Sequence, residues 1–285
     1  MKIITWNVQW FCGLDGVIDI ARVVNAAREM ADFDVICMQE IAVNYPRLEG
    51  DAAHDQPAVL KSLLPGFDVL FGAAVDELAA DGKSRQRFGN LIASRLPVAQ
   101  VHHYTLPYPA DPTPGGVRSM PRICASATVI TEFGPVRFMT THLEFYSPTA
   151  RMAQAQELLR LHAQGCALAK FPPLQDDTGG PFQSKPHTAH CILTGDFNFE
   201  PHSDEYALMQ TQQNEASQLR DAWPVVHGDQ PHAPTFRLHD RRYGPEPIAC
   251  DFLFVSDTLT SRILRVEVNL ATKVSDHQPV LLELA

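Results

Sequence analysis

The sequence has no CxxC pair, no excess of positive charge and no apolar run approaching the roughly 18 to 20 residues of a membrane-spanning helix. Its six cysteines, Cys12, Cys37, Cys124, Cys166, Cys191 and Cys250, are too widely spaced for a zinc ribbon, a thioredoxin-like site or a dense disulfide scaffold. They fit reduced, mostly buried thiols of a cytoplasmic protein. The first residues, MKIITWNVQWFCGLDG, carry one lysine and then an apolar stretch broken by Asn7 and Gln9, unlike the hydrophobic region of a signal peptide. Lysine and arginine number 23 against 33 aspartates and glutamates, a net charge of −10, so no global basic field gathers nucleic acid or anionic lipid. Only a local cationic site remains open. Several catalytic signatures are missing too. Gly82-Lys83-Ser84 resembles the end of a phosphate-binding loop, but Glu77 stands where that loop needs glycine. There is no GxGxxG after the first apolar run, no GxSxG and no HExxH, and His187 and His190 lie in a polar loop without a third ligand.

Hydrophobic residues make up 45% of the 285 residues and include 15 Phe, enough to bury a sizeable core. Short β-rich runs bounded by turn residues recur at 2–6, 34–39, 68–71, 90–94, 125–131, 136–141, 191–194, 252–255 and 280–284. Between the first two, Ile20, Val23, Val24, Ala27 and Ala31 keep helical spacing. A second helical pattern follows Pro148, with Met152, Ala155, Leu159 and Cys166 on one face, and ends before Pro172-Pro173. A third, shorter helix is expected from Ser203, carrying Tyr206 and Met209 inward. Segments 106–121, rich in proline, and 171–188 have no sustained period and read as functional loops. No domain boundary or repeat is visible, so one domain over 1–285 is expected. Strands outnumber helices, which predicts an α+β sandwich of two packed, mainly antiparallel sheets with helices outside.

Polar groups collect at the ends of these strands. Trp6-Asn7, Gln39-Glu40, Thr141-His142, Gly195-Asp196-Phe197-Asn198 and Ser275-Asp276-His277 each bring a carboxylate, amide or imidazole to the edge of an apolar run. One such case is ordinary turn chemistry. Together they form a set: Mg²⁺ takes one or two carboxylates, here Glu40 and Asp276, and fills its other positions with water and phosphate oxygens. Phosphoester hydrolysis further needs an attacking water deprotonated, a leaving oxygen protonated and donors for the transition-state charge. Asp196, His142, His277, Asn7 and Asn198 cover those tasks.

This series resembles the endonuclease/exonuclease/phosphatase superfamily, the DNase I-like fold, in order and spacing from residue 2 to 284. Gly89-Asn90-Leu91-Ile92-Ala93-Ser94-Arg95 and Cys250-Asp251-Phe252-Leu253-Phe254-Val255-Ser256 are similar to its central and penultimate strands. The resemblance implies a four-layer sandwich with a Mg²⁺-dependent phosphoesterase site at the strand edges, Mn²⁺ being the alternative ion. It implies that Glu40 binds the metal beside Asn7 and Asp276, and that Asp196 orients or deprotonates the water. Asn198 is then expected to hold the phosphate, His142 and His277 to flank the phosphorus with His142 as the acid, and Asp251 to fix the tautomer of His277. His142 stands where abasic-site endonucleases carry tyrosine, which points to the DNase I, sphingomyelinase, inositol-phosphatase and deadenylase branches.

Asn90, Arg118 and Arg122 are the substrate-binding candidates. Asp15, Asp19, Asp32 and Asp34 read as caps and flanks of the first helix, and Trp6 and Trp10 as core. Asp251, between apolar neighbours, needs a partner, and a catalytic histidine is the natural one. The expected substrate is a phosphodiester, either nucleic acid or a small ester, with a sugar, inositol or nucleotide monoester as the alternative. A nuclease would need a cationic track, for which Lys83, Arg85, Arg87, Arg118, Arg122, Arg241 and Arg242 are the candidates. A catalytically silent scaffold is the reading from another class, and no protein partner is indicated.

Overall fold

A computed structural model describes residues 1–182, 184–213 and 215–285. In chain order the elements are β1 (Lys2–Asn7), α1 (Ile20–Met30), β2 (Val35–Tyr45), β3 (Ala52–Asp55), α2 (Gln56–Leu63), β4 (Asp68–Leu78) and β5 (Arg85–Ser94). Next come β6 (Val98–Thr105), β7 (Ile123–Thr131), β8 (Gly134–His142), α3 (Pro148–Lys170), β9 (Cys191–Asp196) and α4 (Asp204–Met209). The chain continues through β10 (Leu219–Asp221), α5 (Ala222–His227), β11 (Asp251–Ser256), α6 (Asp257–Thr260), β12 (Ile263–Val268) and β13 (Val280–Leu284).

The strands form two sheets. One runs β12-β13-β1-β2-β5-β4 with β3 beside β2, and the other runs β10-β11-β9-β8-β7-β6. Among the described residues only β1 with β2 and β8 with β9 pair in parallel; the remaining pairs are antiparallel. Strand side chains alternate between faces, so each sheet offers one face to its partner sheet and one to helices. Ile3, Val35, Cys37 and Ile92 of the first sheet meet Ala127, Phe138, Ile192 and Leu253 of the second in the central layer. The opposite face of the first sheet is covered by Val23, Val24 and Ala27 of α1 and Leu60 of α2. Leu158 and Leu159 of α3 and Met209 of α4 cover the outer face of the second sheet. The result is the expected α+β sandwich in four layers, in which each fully buried large side chain such as Phe138 contributes roughly 1.5–3 kcal/mol by leaving water.

Local signals explain the helix starts. Asp19 accepts from Arg22 N to cap α1, Ser147 from Ala150 N ahead of Pro148 in α3, and Ser203 from Tyr206 N in α4. Tyr206 and Met209 turn inward as expected, whereas Met152 is only half-buried and Leu158, Leu161 and His162 take up the inner face of α3. Segment 106–121 is irregular, and so are the described residues of 171–188, within which Gln183 lies outside the described residues. All six cysteines are free and buried. No helix among the described residues is long and apolar enough to cross a membrane.

Candidate active site

The pairing of the strands brings the polar strand ends together. In the parallel pair β8–β9, His142 lies opposite Asp196, and in β9–β11 Asp251 lies opposite Asp196. Asn7 ends β1 opposite Gln39. In β2 the register with β5 slips between Met38 and Ile41, a bulge that contains Glu40 in the left-handed region at φ 62°. Bulges redirect side chains, and a non-glycine residue held at positive φ costs free energy that the surrounding sheet must supply. Here the distortion turns the Glu40 carboxylate toward the same centre.

Asp196 is the hub. Its Oδ2 accepts from Asn7 Nδ2 at 3.0 Å and lies 3.4 Å from His142 Nε2 and 3.6 Å from His277 Nε2, while Oδ1 accepts from Asn198 N at 3.0 Å. Asn7 Nδ2 also reaches Glu40 Oε1 at 3.2 Å, and His142 Nδ1 is 3.7 Å from that same oxygen. Asp251 finds the partner its burial requires, Oδ2 standing 2.8 Å from His277 Nδ1. The His277 ring stacks on Phe236 with centroids 4.2 Å apart. Ser275 Oγ donates to Asn7 O at 2.8 Å and accepts from His277 N at 3.2 Å, tying the last loop to β1.

Burial, with Asp276 and Asp196 as like-charged neighbours, pushes Glu40 up to about 7, against the bond from Asn7. Asp276 is raised as well, by burial and by Asp196, although His277 opposes this. Burial and the Arg122 guanidinium drive His142 down to about 3, which leaves its ring neutral. Burial works in the same direction on His277, but Asp251 and Asp196 outweigh it and hold the ring charged, up to about 10. Carboxylates that raise one another in this way form a hard oxygen donor set, which fits a divalent ion between Glu40 and Asp276 with the Asn7 carboxamide alongside.

Asp196, Cys250, Asp251 and His277 also have ligand atoms within 4.8 Å of one another. That group suits a hard ion less well. His277 Nδ1 is taken up by Asp251, Cys250 Sγ donates to Asp251 Oδ2 at 3.5 Å, and burial with Asp196 and Asp251 nearby raises the thiol well above its usual range.

A cavity of about 290 Å³ opens on this centre, lined at its polar end by Glu40, His142, Asp196, Asn198, Asp276 and His277. Arg118 and Arg122 line it as well. Arg118 is exposed and makes no bond among the described residues, whereas Arg122 is 6% exposed, pairs through Nε with Glu144 Oε2 at 3.8 Å, and has no hydrogen-bond partner for Nε or Nη1. Asn90 is not on the cavity wall; its Nδ2 donates to Ile123 O at 3.2 Å, a bond between the two sheets. Asn198 stands at φ 52° and spends its amide on Leu143 O at 2.9 Å. Trp6 is fully buried and donates to His277 O at 3.0 Å, while Trp10 reaches the cavity.

The model of the Endonuclease/Exonuclease/phosphatase family matches residues 4–277. The chain belongs to this family. No curated protein sequence matches it. Among solved structures, an endonuclease/exonuclease/phosphatase from Beutenbergia cavernae is 24% identical with a TM-score of 0.67, covering 99% of this chain and 70% of that one. A mannosyl-6-phosphatase from Bacteroides thetaiotaomicron is 19% identical with a TM-score of 0.68, over 100% of this chain and 99% of that one. D. rerio TDP2 complexed with a single-strand DNA product is 18% identical with a TM-score of 0.64, over 99% and 97%. These likenesses extend over the fold described above.

Two residues of this family member were not singled out from sequence. Glu144 is fully buried, accepts from the N–H groups of Phe145 and Tyr146 at 2.9 and 3.0 Å and from Ser119 Oγ at 2.6 Å, and faces Arg122. Its signal was its place two residues after His142, on the same side of an extended chain. Thr235, whose Oγ1 accepts from the N–H groups of Cys250 and Asp251 at 3.1 Å each, had none, because its loop carries no periodicity.

Gly195 lets β9 approach β8 closely enough to set Asp196 beside His142. It stands at φ 146°, and a Cβ there would come within 2.0 Å of Thr141 O. Gly195→Ala is therefore expected to destabilise the protein by about 2–4 kcal/mol through strain and overpacking. It should also lower turnover at temperatures where the variant remains folded. Unchanged denaturant midpoint and activity would show that the two strands tolerate separation.

Proposed function

We propose that the chain is a Mg²⁺-dependent phosphoesterase, one catalytic unit over residues 1–285, that hydrolyses a phosphodiester by in-line attack of water. The observation that carries this reading is the Asp196 carboxylate, bracketed by Asn7 and two histidines within 3.6 Å and flanked by Glu40. Glu40, Asn7 and Asp276 would hold the cation, which when bound would supply charge neutralisation for a phosphate oxygen. Mn²⁺ serves in its place.

Asp196 takes the proton of the attacking water. Arg122, held through Nε by Glu144, offers its guanidinium to the phosphate, with Nη1 without a hydrogen-bond partner and Arg118 at the mouth. His277, locked by Asp251 through Nδ1, presents a protonated Nε2 and supplies the leaving-group proton. His142, neutral and without a carboxylate bonded to it, acts as a donor to a non-bridging oxygen. This exchanges the roles first expected of the two histidines. Free, buried cysteines support a cytoplasmic location.

Hydrolysis of bis(p-nitrophenyl) phosphate and of p-nitrophenyl phosphate, with Mg²⁺, Mn²⁺ or EDTA and with His142→Ala as control, tests the reading. The expected outcome is metal-dependent turnover of the diester that EDTA abolishes and the variant loses. Preference for the monoester would move the substrate to sugar, inositol or nucleotide phosphates. Metal binding with no turnover of either ester would favour a silent scaffold.

A further inference from the structure

We infer that one of the two groups esterified to the phosphate, the one seated in the cavity, is compact and apolar, an aryl or similar hydrophobic group and not a polynucleotide strand. This rests on the phosphoesterase reading and names its substrate class. Away from the carboxylates the cavity wall is aromatic. Trp10, Tyr45 and Phe88 form one side, with ring centroids 6.5 Å apart for Trp10 and Phe88 and 6.1 Å for Tyr45 and Phe88. Phe145, Tyr146 and Tyr243 form another, with Phe145 4.8 Å from Tyr146 and 6.4 Å from Tyr243.

The polar tips of the first group are already occupied. Trp10 Nε1 donates to Glu49 O at 2.9 Å and Tyr45 Oη to Glu77 Oε1 at 3.0 Å, so these two residues have rings, not hydrogen bonds, to offer a ligand. A volume of about 290 Å³ sits at the small end of the range for ligand pockets and suits a single ring with its phosphate.

Charge separates this ligand from a nucleic acid strand. A strand needs a track of available cations along its phosphates, and here three of the arginines expected to supply one outside the cavity are engaged. Arg85 pairs with Asp76 at 2.8 Å, Arg242 with Asp240 at 2.5 Å and Glu49 at 3.0 Å, and Arg241 donates to Pro245 O at 2.6 Å. Arg87 is 4.0 Å from Asp55, and Lys83, exposed and without an ion pair among the described residues, stands outside the cavity; the cations on the cavity wall are Arg118 and Arg122, which is provision for one phosphate.

Phenylphosphonate and methylphosphonate share a phosphate-like head with a carbon–phosphorus bond that hydrolysis does not cleave, so their binding is read by calorimetry independently of turnover. In the presence of Mg²⁺, phenylphosphonate is expected to bind at least about tenfold more tightly, since burying ring-sized apolar surface is worth that much or more. The preference should collapse toward one in Phe88→Ala. Because Phe88 is a core ring, Val75→Trp, which fills the cavity from the same wall, gives the same readout should Phe88→Ala not fold.

Glycerol phosphate and a short oligothymidylate are expected to bind no better than methylphosphonate. Equal binding of the two phosphonates, binding of neither, or tighter binding of glycerol phosphate or the oligonucleotide would overturn the inference. A phenyl preference without turnover of any phosphoester would instead overturn the function and leave the pocket's selectivity standing. Turnover without the preference would do the reverse.

Discussion

Asp196→Asn is expected to lower kcat on a phosphodiester by roughly three to four orders of magnitude, the upper part of the range for a positioned proton-transfer group, while the protein stays folded. Asp196 is 1% exposed and its carboxylate accepts from Asn7 Nδ2 and Asn198 N at 3.0 Å each, with the two histidine Nε2 atoms within 3.6 Å. An amide in its place keeps the shape but has no basicity, and its NH₂ must face one of the donors the carboxylate accepted from. That mismatch costs about 1–3 kcal/mol. Part of it is offset, because the negative charge that raises Glu40 and Asp276 is removed at the same time. Stopped assays on p-nitrophenyl esters, paired with thermal unfolding, separate the two effects. Turnover within tenfold of wild type in the folded variant would show that another group handles the water.

Much of the fold was legible because core strands must bury side chains and so carry an apolar signature. The runs from 136 to 141 and 191 to 194 correspond to β8 and β9, whose inward faces are fully buried. Of the edge strands, β4 showed it only over 68–71, and β6 and β12 gave no such signal. In β6, an edge strand, most residues are exposed, and in β12, the opposite kind of edge, only Val266 is buried; both are held by backbone pairing to one neighbour, which places little demand on side chains. The short helix α2 escaped for a related reason. Only Gln56 and Leu60 are buried along it.

The candidate site was legible in its membership and less so in its geometry. A polar residue at the end of an apolar strand can be read from order alone, and Asn7, Glu40, His142, Asp196, Asp276 and His277 all line or brace one centre. What order does not carry is the register between distant strands. Asn90 shows this: it sits in β5 with the expected neighbours, but its amide turns to Ile123 O in the other sheet and not to the cavity. The partner of Asp251 was implied by the family resemblance and not by order: it is His277, as implied, reached through the pairing of β11 with β9. Arg118 and Arg122 lay in a segment with no periodicity, and the buried, half-satisfied state of Arg122 depends on Glu144 lying under it.

Glu40→Gln is expected to remove the response to Mg²⁺ while leaving the metal-free protein as stable as wild type or more so. Wild type with Mg²⁺ at a hundred times its dissociation constant gains about 2.7 kcal/mol by mass action, which for a chain of this size amounts to a rise of several degrees in Tm. The variant should show almost none of that rise, and turnover should fall to the level of wild type in EDTA. Its stability in EDTA follows from the site's electrostatics: burial and Asp276 penalise the Glu40 charge, and glutamine deletes the charge yet keeps the oxygen that accepts from Asn7 Nδ2 at 3.2 Å. A neutral acceptor in a half-buried bulge is cheaper than a carboxylate among carboxylates. Loss of stability in EDTA would mean that the charge itself holds His142 or Asn7 in place. A Tm rise with Mg²⁺ that survives in Glu40→Gln would move the cation away from Glu40, toward the group formed by Asp196, Asp251 and His277.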